Sequence, residues 1–429
     1  MDKIRGILLI YHHPLKSDAA TIMDHVKAFG ENSSFRVWTI NTALGFPRAL
    51  KRLRFSAIVL HYSLFGWYPF SLYRPFFEYV EKSRESYKVA FFQDEYRFWP
   101  ERTALLSALD VHCVYTLVEP QHFADTYEKH CKVRRLVYNL PAYVSADMVK
   151  KGREVFKLDS ERTVDIGYRG RQPPYYLGKG AQEKHLIGIN FLKRAGSLGL
   201  RLDIETEEEK RIYGTGWFEF LANCRAVLGV EAGTTIFDID NLVRPKYSEL
   251  CNGNPDLVLP GVSFSEVYES ILAAHEDRIY YRTISARHFE AAALRVCQIL
   301  FEGKYSGVLI PMIHYIPLKR DFSNLAEVID MFGDAALRKQ IAENAYADLI
   351  ASGKYNYRHL IGALDRDLLD LGITPDIDVT EARRISRLVR QSVISHFIKK
   401  AWYSLRQRDF PGRNILKPVA KPILKKLGI

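Results

Sequence analysis

No apolar run in the 429-residue sequence approaches the roughly 18–20 residues that cross a bilayer as a helix, so no membrane-spanning helix is expected. Cysteine is scarce. Cys113, Cys131, Cys224, Cys251 and Cys297 form no Cys-x-x-Cys pair and read as reduced, mostly buried thiols of a cytosolic protein. Metal-ligand spacing is missing too: His12 and His13 are neighbours at a strand end and point to opposite sides, with no third ligand placed by spacing. Internal repeats and low-complexity stretches are likewise absent. The apolar stretch Ile7–Ile10 is short and runs into Tyr11-His12-His13, so it reads as a core strand rather than a signal peptide. What is present, 47% hydrophobic residues over this length, suits two or three domains.

Charge is unevenly spread. From Thr374 to the C-terminus thirteen Lys and Arg face only Asp376, Asp378, Glu381 and Asp409, which places +9 of the net +11 in this tail. Ile385, Leu388, Val389, Val393, Phe397, Ile398, Trp402 and Leu405 recur there at helical spacing between basic residues, and Asn414–Ile429 repeats the pattern. Two readings fit such a basic amphipathic tail: attachment to an anionic membrane surface, or docking of the apolar stripe on the protein's own body. Nucleic-acid binding is not expected, because the tail has few aromatics and no reading motif.

The first half alternates strands and helices as a parallel α/β sheet does. Strands are expected at Ile7–Tyr11, Phe35–Asn41, Ala57–Tyr62, Lys88–Gln93, Asp110–Thr116 and Lys132–Tyr138, with a helix from a Ser17-Asp18 cap to about Phe29 and another around Tyr73–Val80. Ligands bind outside the carboxyl ends of such strands, which singles out His12, His13, Asp18, His61, Tyr62, Asp94, Glu95 and Arg97. Asp94–Arg97 also reads as a local ion pair capping the next helix.

Leu140–Thr163 carries a proline, scattered charges and no clear strand, and reads as the interdomain connection. A second alternating set begins at Val164. Within it, Trp217–Val230 reads as a helix and a buried strand ending in Glu231-Ala232-Gly233-Thr234-Thr235, where Glu231 either offers a sugar a hydrogen-bond partner or caps the next turn. Ser285 is placed to cap a helix whose first turn carries Arg287 and Glu290. A helix start favours phosphate, Arg287 adds a planar fork, and Glu290 lies one turn on, where ribose hydroxyls need an acceptor. The plainer reading is an Arg–Glu pair on a surface helix.

Phe289-Glu290-Ala291, the strand Val296–Phe301, the loop ending His314-Tyr315-Ile316-Pro317-Leu318, and Asp321 leading to Asn324-Leu325-Ala326-Glu327 together resemble the C-terminal region of the group 1 GT-B glycosyltransferases. Asp165–Arg171 resembles the first strand and loop of the same domain. The resemblance implies α/β architecture of the GT-B type, two Rossmann-like doubly wound domains facing a cleft, followed here by a basic helical tail. The domains are then 1–143 for the acceptor, 164–355 for the donor nucleotide, a linker at 144–163, and C-terminal helices and tail at 356–429. It further implies an enzyme of the hexosyltransferase type that moves a sugar from a nucleotide-diphosphate sugar to a glycan or lipid-linked glycan, without a cofactor or metal. Arg169 or Arg171, with Lys184, is expected to hold the diphosphate, and Asp94 or Glu95 to orient or deprotonate the acceptor hydroxyl. Two departures stand out: the first glutamate of the family's E-x7-E falls on Arg282, and the family's A-x-G glycine is replaced by Leu294-Arg295. The first keeps an inverting course open beside the expected retaining one. Cytoplasmic placement, peripheral on the inner membrane face through residues 374–429, is expected. A catalytically silent relative serving as a scaffold, and a nucleotide-sugar epimerase on the same fold, are the rival readings.

Overall fold

The computed structural model of the protein describes residues 3–14, 20–258 and 261–390. The Ser17-Asp18 helix start and the tail beyond residue 390 lie outside the described residues. The first half contains β1 (Lys3–Tyr11), α1 (Ala20–Asn32), β2 (Val37–Asn41), β3 (Arg54–Leu60), α2 (Arg74–Lys82), β4 (Tyr87–Phe91), α3 (Trp99–Ala108), β5 (Cys113–Thr116) and β6 (Arg135–Tyr138). Its six strands lie parallel in the order β2-β1-β3-β4-β5-β6, each at a position expected from its apolar run. Alternation explains why those runs are continuous. Ile7 and Leu9 of β1 face one core and Leu8 and Ile10 the other, so both faces of the strand are buried.

The stretch expected as a plain connection forms α4 (Ala146–Glu154), started by Ser145, whose Oγ accepts from the Met148 amide at 3.0 Å. The second half then holds β7 (Val164–Arg169), α5 (Gly178–Ala195), β8 (Leu202–Glu205), α6 (Thr215–Asn223), β9 (Cys224–Gly229), β10 (Ala232–Ile236), α7 (Val243–Leu250), α8 (Phe264–Val267), β11 (Glu276–Thr283), α9 (Ala286–Ala293), β12 (Cys297–Phe301), β13 (Ile316–Leu318), α10 (Leu325–Gly333) and α11 (Ala335–Ala345). Five strands make a parallel sheet ordered β13-β12-β9-β7-β8, while β10 and β11 form a separate antiparallel ladder. Pro317 occupies the edge strand β13, where a missing N–H is tolerated. These are the two doubly wound, Rossmann-like halves that the sequence pattern implies.

After α11 the chain crosses back beside its outward path: the Val144 amide donates to the Tyr355 carbonyl at 2.8 Å. Helix α12 (Tyr357–Asp370) consequently packs on the N-terminal sheet, burying Leu360, Ile361, Leu364 and Leu368 against the Ile7 and Leu9 face. Asp365 fixes it there, accepting from Ser33 Oγ at 2.7 Å and from Ser34 Oγ at 2.8 Å. Residues 379–390 are helical, and Ala382, Ile385 and Val389 enter the core on the opposite face of the same sheet, with Trp38 Nε1 donating to Ser386 Oγ at 3.1 Å. For this described part of the tail, the apolar stripe is docked on the protein itself.

That docking is measurable. Ile385, fully buried, is expected to cost about 2–5 kcal/mol on replacement by alanine, whereas Leu388→Ala, on the outward side, is expected to stay within about 0.5 kcal/mol. Thermal unfolding of the full chain reads both; two equally small losses would refute the docking.

Candidate active site between the two halves

The carboxyl ends of both parallel sheets open on one cleft of about 690 Å³, the place at which open α/β sheets bind ligands. Its C-terminal wall is cationic. Gly170 follows β7, and a Cβ there would stand 2.6 Å from the Lys184 carbonyl oxygen, so only glycine lets this loop cross α5 and set Arg171 beside Lys184. The Lys184 ammonium lines the cleft and makes no hydrogen bond or ion pair among the described residues. Burial first, then Arg282, Arg287 and Arg171, hold it down to about 8, with Asp94 across the cleft acting the other way. The preceding Glu183 does not relieve it, because its two oxygens accept from Arg282 and Arg320, both at 2.6 Å.

Helix α9 points its N-terminus into the same space, with Ser285, Ala286 and Arg287 on the lining. The Ser285 amide donates to His288 Nδ1 at 3.0 Å, and burial holds that imidazole down to about 3, hence neutral. Arg287 is exposed to the cleft. One guanidinium nitrogen donates to the Arg169 carbonyl, and the plane stands 4.9 Å from the Trp217 ring centroid. Farther out, Arg171 and Arg211 share Glu208, at 3.6 Å and 2.7 Å. The wall therefore offers more positive charge than it neutralises.

The N-terminal wall is aromatic and carries a carboxylate. Asp94, one turn of chain beyond β4, is exposed to the cleft at φ +51°, and Tyr96 Oη donates to its Oδ1 at 3.1 Å. The Asp94–Arg97 ion pair does not form among the described residues; the two are joined through backbone, Arg97 N to Asp94 O at 3.2 Å. The Arg97 guanidinium instead stacks over Trp67, at 5.6 Å, with Tyr96 and Tyr176 close on its other sides.

Two expected site residues, Glu95 and Glu231, are not on the cleft lining, and a third, Arg169, lines it with its fork engaged inside the fold. Glu95, beside Asp94, is fully buried and turned from the cleft: it accepts from Thr116 Oγ1, the Leu117 amide at 2.8 Å, Tyr127 Oη, and Tyr281 Oη of β11 at 3.0 Å. Burial outweighs these donors and pushes its carboxyl up. Glu231 is buried as well, accepting from Tyr280 Oη at 2.9 Å and from the Tyr305 amide at 2.8 Å. Arg169 directs its fork to Asp203 Oδ1 at 2.7 Å and to the Tyr168 and Asp203 carbonyls. Of the two arginines considered for the diphosphate, Arg169, the better match to the family pattern, is paired with Asp203 at 2.7 Å, and Arg171 is exposed beside Glu208 at 3.6 Å. Glu290 occupies an intermediate place: its Oε2 accepts from Trp217 Nε1 at 2.7 Å, which props the indole behind Arg287. Burial pushes the Glu290 carboxyl up, against that N–H and the Arg287 charge.

Trp67, Arg211, Trp217, Asp256 and His288 join the lining without having been singled out as site residues. Only His288, inside the helix start already marked by Ser285, carried a sequence signal that would have found it. Elsewhere, His25 and His61 pair in a buried contact of 3.0 Å, and no group of three or more His, Cys, Asp or Glu among the described residues is arranged to hold a metal ion.

No protein-family model matches the sequence, and no curated protein matches it. Among solved structures the chain is similar to an alpha-glucosyltransferase in complex with UDP-glucose and DNA containing an abasic site, at 12% identity over 85% of this chain and 99% of that one, with a TM-score of 0.49. It is similar also to a sucrose-phosphate synthase from Thermosynechococcus elongatus, at 12% identity over 85% and 99% with a TM-score of 0.44. A third is a UDP-forming alpha,alpha-trehalose-phosphate synthase from Burkholderia vietnamiensis, at 9% identity over 86% and 99% with a TM-score of 0.44.

The separation of Asp94 from Glu95 gives a direct expectation. Tyr281→Phe removes a hydrogen bond from a buried carboxylate and is expected to cost about 1–3 kcal/mol, while Asp94→Asn is expected to stay within about 0.5 kcal/mol. Thermal unfolding of the two variants side by side checks this, and a reversed order would contradict the assignment.

Proposed function

We propose that this chain is a GT-B glycosyltransferase that holds a nucleoside-diphosphate sugar on its C-terminal half and an acceptor on its N-terminal half. The observation that carries the reading is Lys184, an ammonium without an anionic partner, set with Arg171, Arg287 and the start of α9 around one side of the cleft. A protein tolerates such uncompensated charge where an anion completes it. The acceptor oxygen attacks the anomeric carbon as the bond to the diphosphate oxygen breaks. The leaving diphosphate keeps that electron pair, with Lys184, Arg171 and Arg287 stabilising its charge in place of a metal. Asp94, on the facing wall, orients the acceptor hydroxyl and takes its proton. A retaining course is proposed on the group 1 resemblance alone.

Sign and position of a pH effect follow. Free Lys184 titrates near 8; a bound diphosphate raises it, so binding takes up a proton above that pH. Affinity for nucleoside diphosphates is therefore expected to fall as pH rises through about 8, and Lys184→Ala to weaken it by about 1.5–3 kcal/mol and flatten the profile. Calorimetry with UDP, GDP and ADP reads both effects. Asp94→Asn is expected to leave that affinity unchanged while lowering turnover by about 10²–10⁴-fold. A flat wild-type profile, or unaltered affinity in a folded Lys184→Ala protein, removes the diphosphate site.

The same proposal extends to a peripheral position on an anionic membrane, where a lipid-linked acceptor resides. Its support is the helix at 379–390: the side bearing Ala382, Ile385 and Val389 is docked, and Arg383, Arg384, Arg387 and Arg390 are all exposed. Each basic residue near an anionic surface contributes about 1 kcal/mol, screened by salt. Co-sedimentation with phosphatidylglycerol-containing vesicles is expected at low salt, reduced by high salt and by changing the four arginines to glutamine. Equal sedimentation with purely phosphatidylcholine vesicles would dismiss the attachment.

A further inference from the structure

Resting on the donor and acceptor reading above, we infer that Trp67 is the platform on which the acceptor lies, and that the acceptor group is a pyranoside presenting its apolar C–H face to the indole. Of the tryptophans in the described residues, Trp38 and Trp99 are buried in the core, and Trp217 is covered by Phe220 at 5.5 Å and Arg287 at 4.9 Å with its N–H bonded to Glu290. Trp67 differs. It lies on the cleft lining, is 58% exposed, and has no ring partner among the described residues; its one close neighbour across the ring is the Arg97 guanidinium at 5.6 Å. That guanidinium is itself backed by Tyr96 and Tyr176, so the indole has support behind it while remaining accessible. Tyr68 continues the shelf, 55% exposed and braced by Phe70 and Phe98.

The two walls ask for different ligands. Opposite Trp67 the cations and the start of α9 suit a diphosphate, and apolar lining by Phe220, Leu221 and Val227 on that same wall serves the nucleotide's own flat group. Near Trp67 the charged lining consists of Asp94, Arg97 and Asp256, too polar a surround for a lipid chain. A pyranose ring matches the shelf in both respects. Its C–H bonds carry partial positive charge toward the negative face of the indole, and its hydroxyls project sideways toward the Asp94 carboxylate. Asp94 then meets a hydroxyl of a ring already held flat, which is the orientation that acceptor activation requires.

The test uses full-length protein and two kinds of probe. Binding of UDP, GDP and ADP is measured by calorimetry on the wild type, Trp67→Ala and Trp67→Tyr. Binding of methyl pyranosides of glucose, galactose, mannose and N-acetylglucosamine is measured by saturation-transfer NMR with and without the best-bound nucleotide. At least one pyranoside is expected to bind the wild type with saturation concentrated on its C–H face, to weaken by about tenfold or more in Trp67→Ala, and to recover in Trp67→Tyr. Nucleotide affinity is expected to be the same in all three proteins. Thermal unfolding confirms that each variant is folded, which the exposure of Trp67 makes the expected result. The inference is overturned if no pyranoside binds the wild type, if one binds wild type and Trp67→Ala alike, or if Trp67→Ala loses nucleotide binding instead, since the indole would then serve the base. A failure of every nucleotide to bind the wild type would strike the donor reading and leave the pyranoside comparison to judge the shelf by itself.

Discussion

The buried carboxylate of Glu95 is the contact on which the cleft depends. A carboxyl group removed from water costs several kcal/mol, and here the cost is offset by donors drawn from both halves: Thr116, Leu117 and Tyr127 from the N-terminal side, Tyr281 from β11 of the C-terminal side. Its neighbours on β11 extend the connection. Tyr280 bonds Glu231, and Arg282 bonds Glu183, next to Lys184. Three successive side chains of one strand thus tie the wall that carries Asp94 to the wall that carries Lys184. The contacts of Glu95 are buried, where a broken bond is expensive.

The cationic wall follows from the same economy of partners. Arg169 is neutralised by Asp203, and Arg282 and Arg320 by Glu183, which leaves no carboxylate for Lys184. A charge left without a partner in a half-buried place lowers stability, and the depressed ammonium is the physical sign of that cost. At Arg282, where the sequence departs from the glycosyltransferase pattern, the arginine is buried and engaged with Glu183.

Helix α12 and residues 379–390 cover the two faces of the N-terminal sheet, so the segment following the second half completes the first. With Asp365 holding α12 through Ser33 and Ser34, the two halves are joined by two chain segments that meet at Val144 and Tyr355. The outward place of the arginines in 379–390 follows from this packing, since a helix with its apolar stripe docked turns its basic residues to the surface.

What the sequence by itself determined is the strand set of the first half. Parallel strands buried on both faces demand continuous apolar runs, and the runs from Ile7 to Tyr138 locate all six strands of the first sheet. Local chemistry likewise marked the helix start at Ser285, the cleft-facing Arg287 and the place of Asp94, while Lys184 was reached through the family resemblance. Only the tertiary structure decided which charges are free. Asp94 and Glu95 are adjacent, yet the left-handed turn at Asp94 sends one carboxylate to the cleft and the other inward to Tyr281, a residue far along the chain. Arg169 and Arg171 are two apart, and Asp203 on the neighbouring strand claims the first. Glu231 meets Tyr280 and Tyr305, which arrive from later segments. Residue type fixes what a side chain can bind, but its partner is set by whichever distant element the fold brings within hydrogen-bond reach, and no local pattern contains that information.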